Sequence, residues 1–97
     1  MSPSPLSEAE IKTRLEQLPS WQIENDALTR TFIFDAFAES LGFVNRVGEL
    51  AERAGHHPDI DIRYNKVRLA LMTHDAGGIT AKDFDLAAEI NPAGAPA

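Results

Sequence analysis

The stretch from Asp35 to Gly55 reads as one long helix with apolar residues on two faces, and it lies between two segments that read as β-hairpins. Phe37, Leu41, Val44, Gly48 and Ala51 recur on one face. Phe43, Val47, Leu50 and Ala54 lie roughly 100° round the axis at about 3.6 residues per turn. One stripe is enough to cover a sheet. The second is expected either to broaden the core face or to pack on another helix or another subunit. Asp35 suits the N-cap of this helix and Gly55 its left-handed C-terminal cap.

The flanking elements follow from local chemistry. Ser7-Glu8-Ala9-Glu10 has the form of a capping box, Ile11, Leu15 and Leu18 give one stripe, and Pro19 stops that first helix. Trp21-Gln22-Ile23-Glu24 alternates, Asn25-Asp26 is turn chemistry, and Leu28 to Phe34 is rich in β-branched and aromatic residues. Further on, Ile60, Ile62 and Tyr64 alternate against Val67, Leu69 and Leu71 across Asn65-Lys66, and Thr80 opens a last helix with Phe84, Ala87, Ala88 and Ile90. The order is α-β-β-α-β-β-α, which predicts an α+β fold: a four-stranded antiparallel sheet with the helices packed on one face. With 97 residues and 43% apolar content, residues 1–97 are expected to form a single domain. The proline-punctuated ends, 1–5 and 92–97, read as frayed tails.

A net charge of −6 with scattered basic residues argues against attraction to nucleic acid or to an anionic membrane. The absence of cysteine excludes disulfides and thiolate nucleophiles. No secretory signal opens the chain and no apolar run is long enough to span a bilayer, so the expectation is a cytoplasmic protein.

Only three histidines occur: His56, His57 and His74. An ordinary imidazole titrates closer to physiological pH than any other side chain, so a cluster of them is natural material for acid–base work. If Asn65-Lys66 is a two-residue loop, Tyr64 pairs with Val67, Ile62 with Leu69 and Ile60 with Leu71, and the ladder continues to set His57 opposite His74. Directly paired residues carry Cβ atoms about 5 Å apart, close enough to share a small ligand. Pro58 stands near that pairing and is able to end the strand before His57. Glu52 precedes His56 by one helical turn, where its carboxylate can orient the ring if the helix persists.

Rival readings use the same residues. Three histidines with Glu52, Asp59 or Asp83 offer a donor set for a metal, as in a metal-dependent hydrolase. Against it, adjacent histidines on an extended segment point to opposite faces, and neither a His-x-x-x-His nor a cysteine pair is present. Asp83 completes a second capping box, Thr80-Ala81-Lys82-Asp83, which by itself employs the carboxylate at a helix start. Gly77-Gly78 permits a turn or cradles a ligand, and Trp21 reads as core or as a lid over the sheet.

The pattern Glu52-x3-His56-His57-Pro58-x5-Tyr64, then Asn65-Lys66-Val67, Thr73-His74, Gly78 and Asp83-x2-Leu86-Ala87, closely resembles the pterin-4a-carbinolamine dehydratases. That family is also known as the dimerisation cofactor of a homeodomain transcription factor. The resemblance runs from about Leu6 to Ile90 and implies a hydro-lyase that removes water from a 4a-hydroxytetrahydropterin to give a quinonoid dihydropterin. Such a product is recycled to tetrahydropterin, and the carbinolamine arises when a pterin-dependent aromatic amino-acid hydroxylase turns over. It further implies that His56 and His74 act as general acid and base while His57 orients the ring. Glu52 would then support the first histidine, Asp59 and Asp83 would be polar neighbours of the site, and Trp21 would pack near the pterin. No metal and no cofactor is implied. A homodimer through sheet edges, or a tetramer through the long helix, is. A non-catalytic oligomerisation or transcription-cofactor module of the same fold is the alternative.

Overall fold

A computed structural model describes residues 4–94, with elements α1 Glu8–Glu16, β1 Gln22–Glu24, β2 Ala27–Ile33, α2 Phe37–Ala54, β3 Asp59–Arg63, β4 Lys66–Leu71 and α3 Ala81–Ala93. A short 3-10 turn, His74–Ala76, joins β4 to α3. The element order is the expected one, and all strand pairings are antiparallel in the order β1-β2-β4-β3. The period of two is cleanest in β4, where Val67, Leu69 and Leu71 are buried and the residues between them are not. Leu28 and Phe32 of β2 with Val67, Leu69 and Leu71 of β4 are buried against Phe43 and Val47 of α2 and Phe84, Ala87 and Ile90 of α3. The opposite face carries Thr31, Asp59, Asp61, Arg68 and Ala70, and among the described residues no helix covers it.

In α1 both halves of the capping box form. Ser7 Oγ accepts from the Glu10 backbone N–H at 3.1 Å, and the Ser7 N–H donates to Glu10 Oε1 at 3.0 Å. Asn25 and Asp26 both adopt positive φ, the geometry of a tight hairpin turn whose twist matches its strands. Gly55 caps α2 at φ 63°. The His56 N–H donates to Ala51 O and the Gly55 N–H to Glu52 O, a Schellman arrangement that turns the chain sharply out of the helix. At its other end α2 departs from expectation, because Ala36 rather than Asp35 is the N-cap and no side chain caps the helix.

The buried face of α2 draws on both expected stripes and consists of Ser40, Phe43, Val47 and Ala51. Phe37 and Leu41 are 45% and 42% exposed, so the N-terminal end of one apolar stripe faces solvent while Val44 and Ala51 further along it pack inward. In α3, Phe84, Ala87 and Ile90 are buried with Leu86, whereas Ala88 is exposed.

Two expectations are corrected. The second hairpin turns through Tyr64-Asn65, not Asn65-Lys66, so Arg63 pairs with Lys66, Ile62 with Val67 and Ile60 with Leu69. Asn65 fixes this turn by donating from Nδ2 to Phe34 O at 2.9 Å while its own carbonyl accepts from the Phe34 N–H at 2.8 Å. The slip is two residues, so parity survives and the apolar face stays inward. The second correction concerns the ends. Residues 1–3 and 95–97 lie outside the described residues, but α3 continues through Pro92 to Ala93. Asn91 Oδ1 holds that last turn by accepting from Trp21 Nε1 at 2.6 Å and Arg30 Nη1 at 2.8 Å. Near the other end, the Leu6 N–H donates to Ile79 O.

The capping box gives α1 a pH dependence with a definite sign. The Ser7 backbone and then its side chain hold the Glu10 carboxyl below its ordinary value of 4.5. A carboxylate favoured in the folded state contributes above that ordinary value and ceases to contribute as pH falls through the lower folded value. Glu10→Ala is therefore expected to be less stable than the parent at pH 7, with the gap closing on acidification. Paired urea titrations at several pH values read this out, and a gap that does not change with pH would refute it.

Candidate active site

Of the three histidines, two share a cavity. His57 and His74 line a space of about 230 Å³ on the uncovered face of the sheet, together with Asp59, Arg68, Glu24 and Met72. The route to this arrangement differs from simple cross-strand pairing. Two residues beyond the Asp59–Ala70 pair, the observed register sets His57 level with Met72, and pairing has already ceased at Pro58. His74 is instead brought round by the 3-10 turn that it opens. Gly77 ends that turn at φ 74°, where a Cβ would be strained, and Thr73 and Gly78 bridge across it through their backbones.

The third histidine lies behind. His56 has a side chain only 11% exposed, and its Nε2 meets Oδ1 of Asp83 at 2.5 Å. Asp83 is fully buried, and its second oxygen, Oδ2, accepts from Thr73 Oγ1 and from the Thr80 N–H, both at 2.9 Å. Thr80 Oγ1 accepts from the Lys82 N–H and stands 2.8 Å from Thr73 Oγ1, so the threonine hydroxyls relay donors toward the carboxylate. Asp83 thus performs the capping expected of it and more. It clamps residue 56 and residue 73, the immediate chain neighbours of the two cavity histidines. With the Asp83 carboxylate accepting at Oδ1, His56 donates from Nε2, and Nδ1 is its remaining ring nitrogen.

Glu52 supports a different histidine from the one expected. Its Oε2 lies 3.0 Å from His57 Nε2, in a pair whose side chains are 62% and 78% exposed. The cause is Gly55, which breaks helical geometry before His56, so the one-turn spacing of Glu52 and His56 does not put them on one face. Trp21 takes the core position that was one of its two readings: it is buried at 4%, packs edge-on against Phe32 and is not among the residues lining this cavity. Asp59 is a lining residue, as expected of a polar neighbour. Arg68 was legible but passed over. It shares the parity of Ala70 on β4, opposite to Leu69 and Leu71, and so had to emerge on the face that carries Asp59. Among the described residues no three His, Asp or Glu side chains converge to hold a metal ion.

A small α+β sheet with a histidine pair on its open face and a buried His–Asp pair behind it belongs to a recognisable class of proteins. The family model for pterin 4 alpha carbinolamine dehydratase matches residues 4–93, and the chain belongs to that family. A Chloroflexus aurantiacus protein named "Putative pterin-4-alpha-carbinolamine dehydratase" is 62% identical over 86 residues, covering 89% of this chain and 92% of its own. A protein of the same name from Acidobacterium capsulatum is 59% identical over 80 residues, 82% of this chain and 87% of its own. Among solved structures, the transcriptional coactivator/pterin dehydratase from Brucella melitensis superposes with a TM-score of 0.91 at 33% identity, covering 95% of this chain and all of that one. A pterin dehydratase-like protein identified as a RuBisCO assembly factor in the alpha-carboxysome shares the fold, with a TM-score of 0.64 at 22% identity over 79% of this chain and 89% of its own.

The clamp predicts a stability cost. Asp83→Ala strands three buried donors at once and is expected to lower the unfolding free energy by about 3 kcal/mol or more. Asp83→Asn, which keeps one acceptor for the cap, is expected to lose less. Urea denaturation of both variants checks this, and a loss under about 1 kcal/mol for Asp83→Ala would show that the carboxylate does not hold the two segments.

Proposed function

We propose that this protein is a 4a-hydroxytetrahydropterin dehydratase working by histidine acid–base catalysis without metal or cofactor. The observation that carries this reading is the cavity shared by His57 and His74, backed by the buried His56–Asp83 pair. Its volume of about 230 Å³ suits a small bicyclic ring. The elimination needs one proton delivered to the departing 4a-hydroxyl and one removed from a ring nitrogen, with water as leaving group and no change of oxidation state. Two imidazoles in opposite protonation states meet that requirement and are restored by exchanging a proton with solvent.

In this reading His74 and His56 transfer the protons and His57 orients the ring. Asp83 favours His56 in that role, because a buried carboxylate on one ring nitrogen fixes the tautomer and supports the imidazolium, as it does in catalytic triads. A second division of labour has a specific observation behind it: His57, not His56, is a wall of the cavity. In that version His57 transfers a proton and His56 acts through position. His56→Ala and His57→Ala compared in one assay separate the two, since the proton-transfer residue costs more rate. The expected source of substrate is a pterin-dependent aromatic amino-acid hydroxylase in the cytoplasm, and the product would be reduced back to tetrahydropterin.

His74→Ala decides the main reading. The side chain is exposed at the start of a 3-10 turn, so the variant is expected to fold. Its acceleration of 4a-carbinolamine decay, followed by stopped-flow absorbance, is expected to fall by about a hundredfold or more. Equal rates for parent and variant would sink the dehydratase assignment.

The exposed stripe of α2 supports self-association, and with it the reading of the fold as an oligomerisation module. Phe37 and Leu41 leave large apolar groups in water on a helix already packed on its other side. Phe37→Ser with Leu41→Ser is expected to lower the mass seen by light scattering to that of a smaller assembly. An unchanged mass would remove α2 as a subunit contact.

A further inference from the structure

We propose that the pterin accepted by this site carries an acid, a phosphate or a carboxylate, on the arm that leaves its ring, and that Arg63, Lys66 and Arg68 bind that acid. This rests on the pterin reading of the histidine cavity and adds the substrate class. The histidine cavity does not end at its own walls. A second hollow of about 310 Å³ lies on the same face of the sheet, lined by Thr31, Asp61, Arg63, Lys66 and Arg68, and Arg68 stands in the walls of both.

The sheet register sets the two hollows in line along one face. Asp59 pairs with Ala70, Asp61 with Arg68 and Arg63 with Lys66, so three successive same-face rungs lead from the histidine end to the hairpin tip. Each rung advances two residues, about 7 Å, so the Arg63–Lys66 rung lies roughly 13 Å from the first. That is the reach of a bicyclic ring with a short arm. The charge distribution points the same way. In a chain with 15 acidic and 9 basic residues, this hollow gathers three cations and one carboxylate.

Two contacts compete for those cations, and both are loose. Arg63 Nε lies 3.4 Å from Asp61 Oδ1, and Arg68 Nη2 lies 3.6 Å from Glu24 Oε2, between exposed side chains where water screens the attraction. Neither contact is bidentate, so each guanidinium keeps donors for an incoming oxyanion. A neutral hydroxylated arm would need no such row of cations. Charge on an edge hairpin also serves to block strand addition, and this simpler role makes no demand on any ligand.

Calorimetric titration of the full chain separates these roles, using three stable pterins that differ in the arm: dihydrobiopterin, neutral; dihydroneopterin monophosphate; and dihydrofolate, which ends in glutamate. One or both acids are expected to bind about tenfold or more tighter than the neutral pterin. The preferred acid names the group. That advantage should shrink as salt is raised and disappear in Arg63→Gln with Lys66→Gln, two exposed positions whose change leaves the core untouched. Equal affinity for all three, or an acid preference that survives the double substitution, would overturn the groove. Failure of all three to bind would instead overturn the pterin reading on which it rests.

Discussion

The arrangement of this site depends on one buried carboxylate. Asp83 has no contact with water, so each of its oxygens must be satisfied from within the protein, and the groups that satisfy it come from three separate segments. His56 comes from the chain leaving α2, Thr73 from the end of β4, and Thr80 from the start of α3. Because residues 56 and 73 adjoin His57 and His74, satisfying the carboxylate also sets the separation of the two cavity histidines. A hydrogen-bond requirement of the fold thereby becomes a geometric specification of the site. The threonines matter for the same reason, since a loop residue that merely filled space would leave Oδ2 short of a donor.

Much of this was readable from residues alone, and the parts that were not have physical causes. Capping chemistry is local, so the boxes at Ser7 and Thr80 and the glycine cap at residue 55 could be found without a fold. The loop of the second hairpin could not, because its position is fixed by Asn65 bonding to Phe34, a contact across 31 residues. The helical end of the chain was hidden similarly. Proline and small residues suggested a tail, yet Asn91 is tied to Trp21 and Arg30, and Gly94 lies so close to Phe32 that a Cβ there would sit 2.4 Å from its ring. The three histidines and the motif around them marked the candidate site. Their geometry was only half legible, because the pairing of His56 with Asp83 and of Glu52 with His57 reverses what helical spacing implies once Gly55 turns the chain.

The two faces of the sheet divide the work of the molecule. The inner face is aliphatic and aromatic apart from Arg30, which is tied to Asn91 and lies over Phe32, and with α2 and α3 packed on it this face supplies the stability. The outer face alternates Thr, Asp, Arg and Ala, carries the histidine cavity at one end and the basic hollow at the other, and remains open because the three helices are all committed to the other side. Period-two alternation therefore does double duty: the register that buries Leu69 also presents Arg68 and Ala70. A slip of one residue would exchange core for site, whereas a slip of two leaves both intact. That is why the two-residue difference between expected and observed register leaves Val67, Leu69 and Leu71 on the buried face.

The two histidine–carboxylate pairs are chemically alike but physically unequal. His57 and Glu52 are both largely exposed, so water screens their attraction and the pair can part when a ligand enters. His56 and Asp83 are shielded, so separating them would leave a buried charge unpaired and is correspondingly costly. The proposed elimination, which must both give and take a proton, would be well served by such a pairing of one fixed imidazole with mobile neighbours. The fixed ring would keep its orientation and its bond to Asp83, and an exposed one would exchange protons with solvent between turnovers. On this argument the proposed division of roles among the histidines would be set less by their position in the motif than by which carboxylate each one meets.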